Sequence, residues 1–499
     1  MNVKTYPSSA VRPVDAGSGL FIALGLVAVV TGLRAIVLYL TPMQLFFDEA
    51  QYWSWGTALD FGYFSKPPLL AFIIRGFTEI CGDGEACVRL ASPVLYGLTA
   101  LVAGLLARRI APRMGGASGA ALIWTAMLFA TLPGVSFATR LISTDAALLL
   151  CFALALLFLD RLRERASAAN ALGFGLAIGF GFMAKYAMVY CLGSALLWVL
   201  ISREGRRTLL QPVLLLTPLV AGIVVLPNIL WNARHQWITF QHTRENGNWQ
   251  GLRLHFDNLA EFVGAQIGII GPVLFVVLLI GLWRGRKRLS DDAIFLLCFS
   301  LPVLAAMCMQ ATVARAHANW AAVAFVPLTV LAVSWAVSWR AKTPLVLALA
   351  IHLVVLAGLA ASDIKADILV ETRIGYPYKR VFGWREFAEA VRRQAEAAGA
   401  KTIVAGERDE TAELLYYLRD SDLAVRTWPP DGLPGNHYEM AIPLAASDPG
   451  PVLVLSACAA KGGAGEALPV IDIAVRPRFS IRTMPYLAPA VGLRAIDYC

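Results

Sequence analysis

Apolar runs close to the thickness of a bilayer recur along this chain from Gly19 to Ala361. A helix needs about 20 such residues to cross the hydrocarbon core. Inside lipid, only helices and closed barrels satisfy their own backbone groups. A barrel would show short segments alternating apolar and polar, and these runs do not alternate. The expected fold class is therefore an all-α polytopic membrane domain. Composition agrees, because 58% of the 499 residues are hydrophobic and 15% are charged, against about 25% charged in an ordinary soluble chain.

About eleven spans are expected: Gly19–Leu40, Ala86–Ala107, Gly115–Pro133, Ser143–Leu159, Ala168–Ala184, Tyr186–Ile201, Thr208–Trp231, Leu259–Trp283, Asp291–Met309, Ala318–Trp339 and Pro344–Ala361. Alternate loops are short and basic: Arg108, Arg109 and Arg113; Arg161, Arg163 and Arg165; Arg203, Arg206 and Arg207; Arg284, Arg286, Lys287 and Arg288; Arg340 and Lys342. The positive-inside rule assigns these loops to the cytoplasm. The intervening segments then face outward, among them residues 41–85 and 232–258 and everything after Ser362. The net charge of +9 is dispersed through these loops rather than gathered on one stripe, so nucleic acid is not an expected partner. Residues 1–18 read as a polar cytoplasmic tail without a cleavable signal. The domain boundaries expected are thus 1–18 for the tail, 19–361 for the membrane domain and 362–499 for a separate outward domain.

Chemistry-capable residues collect on the outward side. FFDEAQYWSWGTALDFGYFSKPPLL (Phe46–Leu70) carries the adjacent carboxylates Asp48 and Glu49, then Lys66 before a Pro-Pro pair. Carboxylates at the mouth of a membrane helix are costly unless solvated, paired or used. Arg140 and Asp145 come next, in a Ser-Thr-Asp context that also reads as a helix N-cap. Lys185 sits between two apolar runs, where it either snorkels to the interface or binds an anion. PNILWNARHQWITFQHT (Pro227–Thr243) holds Asn228, Asn232, His235 and His242, with the Trp content of an interfacial belt. Arg315, His317 and Asn319 open a later span, and Arg34 is a charge inside the first one, expected to pair with a carboxylate or phosphate. The histidines lack zinc-ligand spacing, so no metal site is expected. Cys81 with Cys87, and Cys458 with Cys499, are either disulfides in an oxidising compartment or free thiols.

After Ser362 the pattern changes to alternating helices and strands. Gly383–Gly399 has helical spacing, KTIVAG reads as a strand, Thr411–Arg419 as a helix and Pro451–Ser456 as a strand. A small α/β domain on the outward side is expected, and the KGGAG stretch (Lys461–Gly465) reads as a loop because it lacks a nucleotide-binding context.

Carboxylates, cations and imidazoles crowded into loops and helix ends on one side suit catalysis on a membrane-held anion. Transport sites lie instead near the bilayer midplane. Asp48-Glu49 after the first span, the adjoining Tyr52-Trp53, and Tyr63-Phe64-Ser65-Lys66-Pro67-Pro68 resemble the protein O-mannosyltransferase and lipid A aminoarabinose transferase superfamily. The resemblance runs on through Ser143-Thr144-Asp145, Ala184-Lys185-Tyr186, PNILWNARHQWITF and HANWAAVAFVPL, nearest to the bacterial lipopolysaccharide-modifying branch that includes the rhizobial galacturonosyltransferases. It implies a GT-C fold and an inverting glycosyltransferase of the bacterial inner membrane. The sugar would pass from a polyprenyl-phosphate donor to lipid A, core or another lipid-linked acceptor in the periplasm. Asp48 matches the catalytic base. Lys66 matches the donor-phosphate ligand, a role that Arg140 and Lys185 would share. Glu49, Asp145, His235, His317 and Asn319 would hold acceptor or sugar. A monophosphate donor can be served by Lys and Arg, so no cofactor is required, although some relatives have bound a divalent metal. Ser65 departs from the glutamate that the aminoarabinose transferases carry, which leaves donor and acceptor identity open. A protein O-glycosyltransferase and a flippase of lipid-linked sugar are the competing readings.

Overall fold

A computed structural model describes residues 16–247, 254–373, 375–449, 451–456, 470–471 and 479–484. Cys458, Cys499 and the KGGAG loop fall outside the described residues, as does most of the N-terminal tail.

Among the described residues, six helices are long and apolar enough to cross a membrane: Gly19–Leu40, Glu85–Arg113, Pro212–Arg234, Asp291–Val313, Ala318–Ser338 and Lys342–Ile364. Three shorter apolar helices, Ser118–Thr131, Ala168–Ala184 and Tyr186–Ile201, accompany them. Thr144–Glu164 is long enough but carries Asp145, Asp160 and Arg161, and it is buried along most of its length. Length and composition therefore do not fix the number of crossings at eleven.

The expected single span Leu259–Trp283 is two helices, Phe256–Ile270 and Pro272–Gly285, bent by 100°. The break has a local cause. Gly271 adopts φ +83°, a conformation that favours glycine, and Pro272 cannot donate to the turn before it. A β-carbon at Gly271 would also lie 2.6 Å from the His352 ring. Nor does the first expected loop remain a loop. Phe47–Thr57 and Leu69–Cys81 are helices, and a disulfide joins Cys81 to Cys87.

The chain after Ser362 carries a five-stranded sheet: β1 Thr402–Ala405, β2 Ala424–Thr427, β3 Val452–Ser456, β4 Val470–Ile471 and β5 Phe479–Met484. Its order is β2-β1-β3-β5-β4. β1 is parallel to β2 and β3, and β5 runs antiparallel to β3 and β4. The Trp384–Ala397 helix buries Phe387, Ala388 and Val391 in one cluster with Ile403, Ala405 and Leu453 of the sheet.

This unit is packed directly on the Phe47–Thr57 helix. Ala412, Tyr416 and Tyr438 join Ala50, Trp53, Trp55 and Tyr63 in one buried cluster. Gln44 is a polar clamp across the junction. Its side-chain oxygen accepts the main-chain N–H of Trp384 at 2.6 Å and of Arg385 at 3.1 Å, and its amide donates to Glu386 at 2.9 Å. Leu45 N–H donates to the Tyr417 hydroxyl at 3.0 Å.

Candidate active site

The two adjacent carboxylates have opposite environments. Both lie in the first turn of the Phe47–Thr57 helix, where the helix dipole favours negative charge. Glu49 points inward and is buried. Arg89, itself fully buried, donates from Nε to both Glu49 oxygens at 3.0 and 3.1 Å and from Nη2 to Oε2 at 2.7 Å. Main-chain N–H groups of Phe46 and Ile142 also donate to Glu49, at 3.0 and 2.9 Å. Arg89 completes the knot on the carbonyls of Met43 and Gln44. The expected contact of Glu49 with acceptor or sugar is not available in this geometry, because its oxygens are enclosed and occupied.

Asp48 points outward and is 37% exposed. Arg408, from the first turn of the Arg408–Tyr417 helix, donates to its Oδ1 at 3.0 Å and to Gln51 at 3.1 Å. The guanidinium lies 4.8 Å from the centre of the Phe47 ring.

Lys66 is positioned from below. Tyr63 stacks on Trp55 with centroids 4.4 Å apart, and its hydroxyl donates to the Trp55 carbonyl. The Tyr63 N–H closes a tight turn onto the Lys66 carbonyl at 3.2 Å. Thr239 donates to the Tyr63 carbonyl at 2.8 Å, and a β-carbon on Gly62 would collide with Trp231 at 2.3 Å. The stretch before Pro67 is thus pressed against the Leu216–Arg234 and Ile238–Glu245 helices. The Lys66 ammonium makes no hydrogen bond or ion pair with a described residue. Burial and the neighbouring Lys185 charge hold its ammonium below the ordinary lysine pKa, against the opposing pull of Asp48 and Asp145. His242, packed 5.3 Å from the Phe64 ring, is likewise pushed down, by burial and by Lys66 and Arg408.

Asp145 is the second acidic centre. Lys185 Nζ donates to its Oδ1 and Asn319 Nδ2 to its Oδ2, both at 2.7 Å. Lys185 is extended, with φ −162°, and separates the Ala168–Ala184 helix from the next turn. His317 sits beside this group, its pKa lowered by burial and by Arg315 and Lys185. Next to Lys185, the Tyr186 hydroxyl donates to Asn228 at 2.8 Å and accepts from Asn232 at 3.2 Å.

Two apolar spaces flank this polar group. A cavity of about 510 Å³ is lined by Tyr96, Phe129, Val135 and Ile269, with Asp145, His317 and Asn319 on its wall. A larger groove of about 1070 Å³ runs from Tyr186, Asn228 and Phe240 to Leu210 and Gln211. The latter residues adjoin the basic loop at the opposite end of the bundle.

The structure leaves two expected ligands elsewhere. Arg140 grips Asp363 with Nε at 2.9 and 2.8 Å and also with Nη2, and it donates to the Tyr378 hydroxyl at 2.8 Å. Its charge is neutralised in a brace on the end of the Lys342–Ile364 helix, away from a phosphate-binding role. His235 stacks on Trp231 with centroids 3.9 Å apart, and its Nδ1 lies 2.8 Å from the Trp231 carbonyl. It belongs to the Trp231 turn rather than to the Asp145 group. Arg34, expected to pair with a carboxylate or phosphate, pairs with no carboxylate among the described residues and donates instead to Ser136 at 3.0 Å. Sequence reasoning misses Arg408 and Arg89. An arginine inside an expected span is a usable signal for Arg89. Arg408 lies 360 residues from Asp48, and no local pattern links them. Among the described residues, no group of three or more His, Cys, Asp or Glu side chains is placed to hold a metal ion.

Residues 65–231 match the family described as dolichyl-phosphate-mannose-protein mannosyltransferase. Over 448 residues the chain is 36% identical to the lipid A galacturonosyltransferase RgtD of Rhizobium johnstonii, covering 88% of this chain and 90% of that protein. The chain belongs to the galacturonosyltransferase-like branch of the GT-C glycosyltransferases. It is therefore a membrane glycosyltransferase. A second galacturonosyltransferase-like relative, the lipopolysaccharide core galacturonosyltransferase RgtA of the same organism, is 29% identical over 200 residues, 40% of this chain and 39% of that protein. The fold also matches ArnT from Cupriavidus metallidurans bound to undecaprenyl phosphate, with TM-score 0.64 and 14% identity over 94% of this chain and 98% of that one. The GT-C architecture thus holds at an identity too low to carry anything but the fold.

Proposed function

We propose that this glycosyltransferase moves a uronic acid from a polyprenyl-phosphate donor to lipid A or another lipopolysaccharide acceptor, on the periplasmic face of the bacterial inner membrane. The observation that carries this reading is Lys66, a cation without a partner among the described residues, set between the Asp48–Arg408 and Asp145–Lys185 pairs. A site that encloses a lysine without an anion of its own is suited to receive one. A departing polyprenyl phosphate gains negative charge as the sugar leaves, and a fixed ammonium stabilises that charge in the transition state.

Asp48 is exposed enough to meet an acceptor. A carboxylate takes the hydroxyl proton as the oxygen attacks the anomeric carbon, and it need not ionise the alcohol beforehand. Asp145, fixed by Lys185 and Asn319, orients the sugar or the acceptor, with His317 at its side. Glu49 and Arg89 hold the helix that presents Asp48. The long groove from Tyr186 to Gln211 suits a polyisoprenoid tail that lies along the membrane-spanning helices. The cavity beside His317 and Asn319 suits an acyl chain of the acceptor. The Cys81–Cys87 disulfide supports placing this face in an oxidising compartment, as do the basic loops at the other end. Phosphate charge is met by Lys66 without a required divalent cation, and transfer that survives chelation would agree with this.

The test is mass spectrometry of envelope glycolipids and glycopeptides from cells with the wild-type chain, without it, and with Asp48→Asn. Loss of one uronic acid from lipid A or core in both the deletion and the variant is expected. Unchanged glycolipids with a sugar missing from glycopeptides would move the assignment to protein glycosylation. Wild-type behaviour of Asp48→Asn would remove Asp48 from the role of base, and blocked movement of the donor across the bilayer would favour a flippase.

A further inference from the structure

Arg408 spends only part of its guanidinium. Nη1 bonds Asp48 and Gln51, whereas Nε and Nη2 make no hydrogen bond with a described residue. That open edge is the one that matches a carboxylate in a side-on, two-point contact. The side chain is 36% exposed, so a ligand can reach it. The Phe47 ring against the guanidinium restrains its plane. Its backbone is fixed as well, because Ala412 and Tyr416 of the same helix are buried against Trp53 and Trp55.

The charges around it leave room for a second anion. Lys185 is committed to Asp145, and Lys66 answers to the donor phosphate. A uronic acid brings one more negative charge. Its carboxylate hangs on the ring carbon that neighbours the ring oxygen, and the anomeric carbon sits on the other side of that oxygen. A cation that reads the carboxylate therefore stands within one sugar ring of the base, as Arg408 stands beside Asp48.

The geometry points to Arg408 as the residue that selects a uronic acid, its Nε–Nη2 edge binding the sugar carboxylate while Nη1 keeps Asp48 oriented. This rests on the reading that Asp48 is the base and that the donor sugar is a uronic acid. Arg408 is a specificity-determining residue supplied by the C-terminal unit, and it joins that unit to the membrane site.

The test uses the full chain in proteoliposomes with two synthetic donors on the same carrier: polyprenyl-phosphate galacturonate and its galactose counterpart, which has a hydroxymethyl in place of the carboxylate. The readout is the ratio of kcat/KM for the two donors. Arg408→Gln is expected to lower the ratio about 10- to 100-fold, the range for losing a hydrogen bond to a charged group. Arg408→Lys keeps the charge and loses the fork, and should give a smaller drop; it carries the comparison if the glutamine variant does not fold. Equal loss with both donors in the folded variants would reduce Arg408 to a support for Asp48 and overturn the proposal. An unchanged donor ratio with a raised acceptor KM would place the acceptor's anion on that edge instead, which also overturns it. A wild-type enzyme that uses both donors equally would sink carboxylate selection and leave the transferase reading intact. Transfer from neither donor would sink the donor reading itself.

Discussion

The two ends of the helical bundle handle buried charge in opposite ways. At the arginine-rich end, Asp160 is fully enclosed and receives Arg109 at 2.6 Å, Arg163 at 3.2 Å and Arg113. The same arginines reach on to Glu164, Asp292 and Glu204. Each of these three cations faces at least two carboxylates, and the network ties the Glu85–Arg113, Thr144–Glu164, Arg203–Leu209 and Asp291–Cys298 helices together. At the other end, Asp48 has one half-exposed partner, Asp145 is shared between Lys185 and Asn319, and Lys66 has no partner among the described residues. A closed network serves architecture, because every desolvated charge is answered within the protein. An open one is costly unless a ligand completes it. The Glu49–Arg89 knot shows that the open end can also close its charges, since it does so one residue away from Asp48.

This contrast sets the order of expected effects. Asp48→Asn should lower transfer about 10²- to 10⁴-fold, the usual worth of a general base, while polyprenyl phosphate still binds; a loss of binding equal to the loss of turnover would place Asp48 in the closed class. Arg89→Met leaves Glu49 as an enclosed charge without its partner, and should destabilise the protein by about 3–5 kcal/mol, measured as thermal unfolding in detergent. Asp160→Asn should behave in the same way. Activity per folded molecule should change little in either, and a variant that folds normally but fails in transfer would break the division. Lys66→Gln should do the reverse, weakening undecaprenyl phosphate binding about 10- to 100-fold with little change in unfolding temperature.

The smallest effect is on pH. Burial and Lys185 lower the Lys66 pKa, so its positive charge is lost as pH rises, earlier than for a free lysine near 10.4. Donor binding should therefore fall on the alkaline side, and Lys66→Arg should move that fall to higher pH. A bound phosphate raises the lysine pKa by linkage, so the fall should appear in kcat/KM before it appears in kcat. An alkaline limb that stays in place in Lys66→Arg would assign it to another group.

Much of this is legible in the chain. Apolar length locates the helices, and short apolar runs bounded by Gly or Pro locate β1 and β3, both buried on every side chain described. Counting crossings gathers Asp48, Lys66, Asp145, Lys185 and Asn319 on one side, and they do converge. The hidden part depends on contacts between distant segments. Asp48 and Glu49 differ by about 100° around a helix, which sends one to a partly exposed surface beside Arg408 and the other to Arg89, and nothing in the two letters says which. Arg140 reads as a free cation because Asp363, its partner, lies 223 residues on. The bend at Gly271 reads as an ordinary apolar span, since hydropathy is blind to φ.

The groove and the cavity are lined by separate sets of helices and approach each other where Lys185 meets Asp145. Under the proposed reading, traffic through the enzyme has two doors. The spent carrier slides back into the leaflet along one wall while the modified lipid leaves by another, so neither queues behind the other. Excess carrier lipid should then compete with the donor and spare the acceptor, a kinetic pattern that a single shared portal would not give.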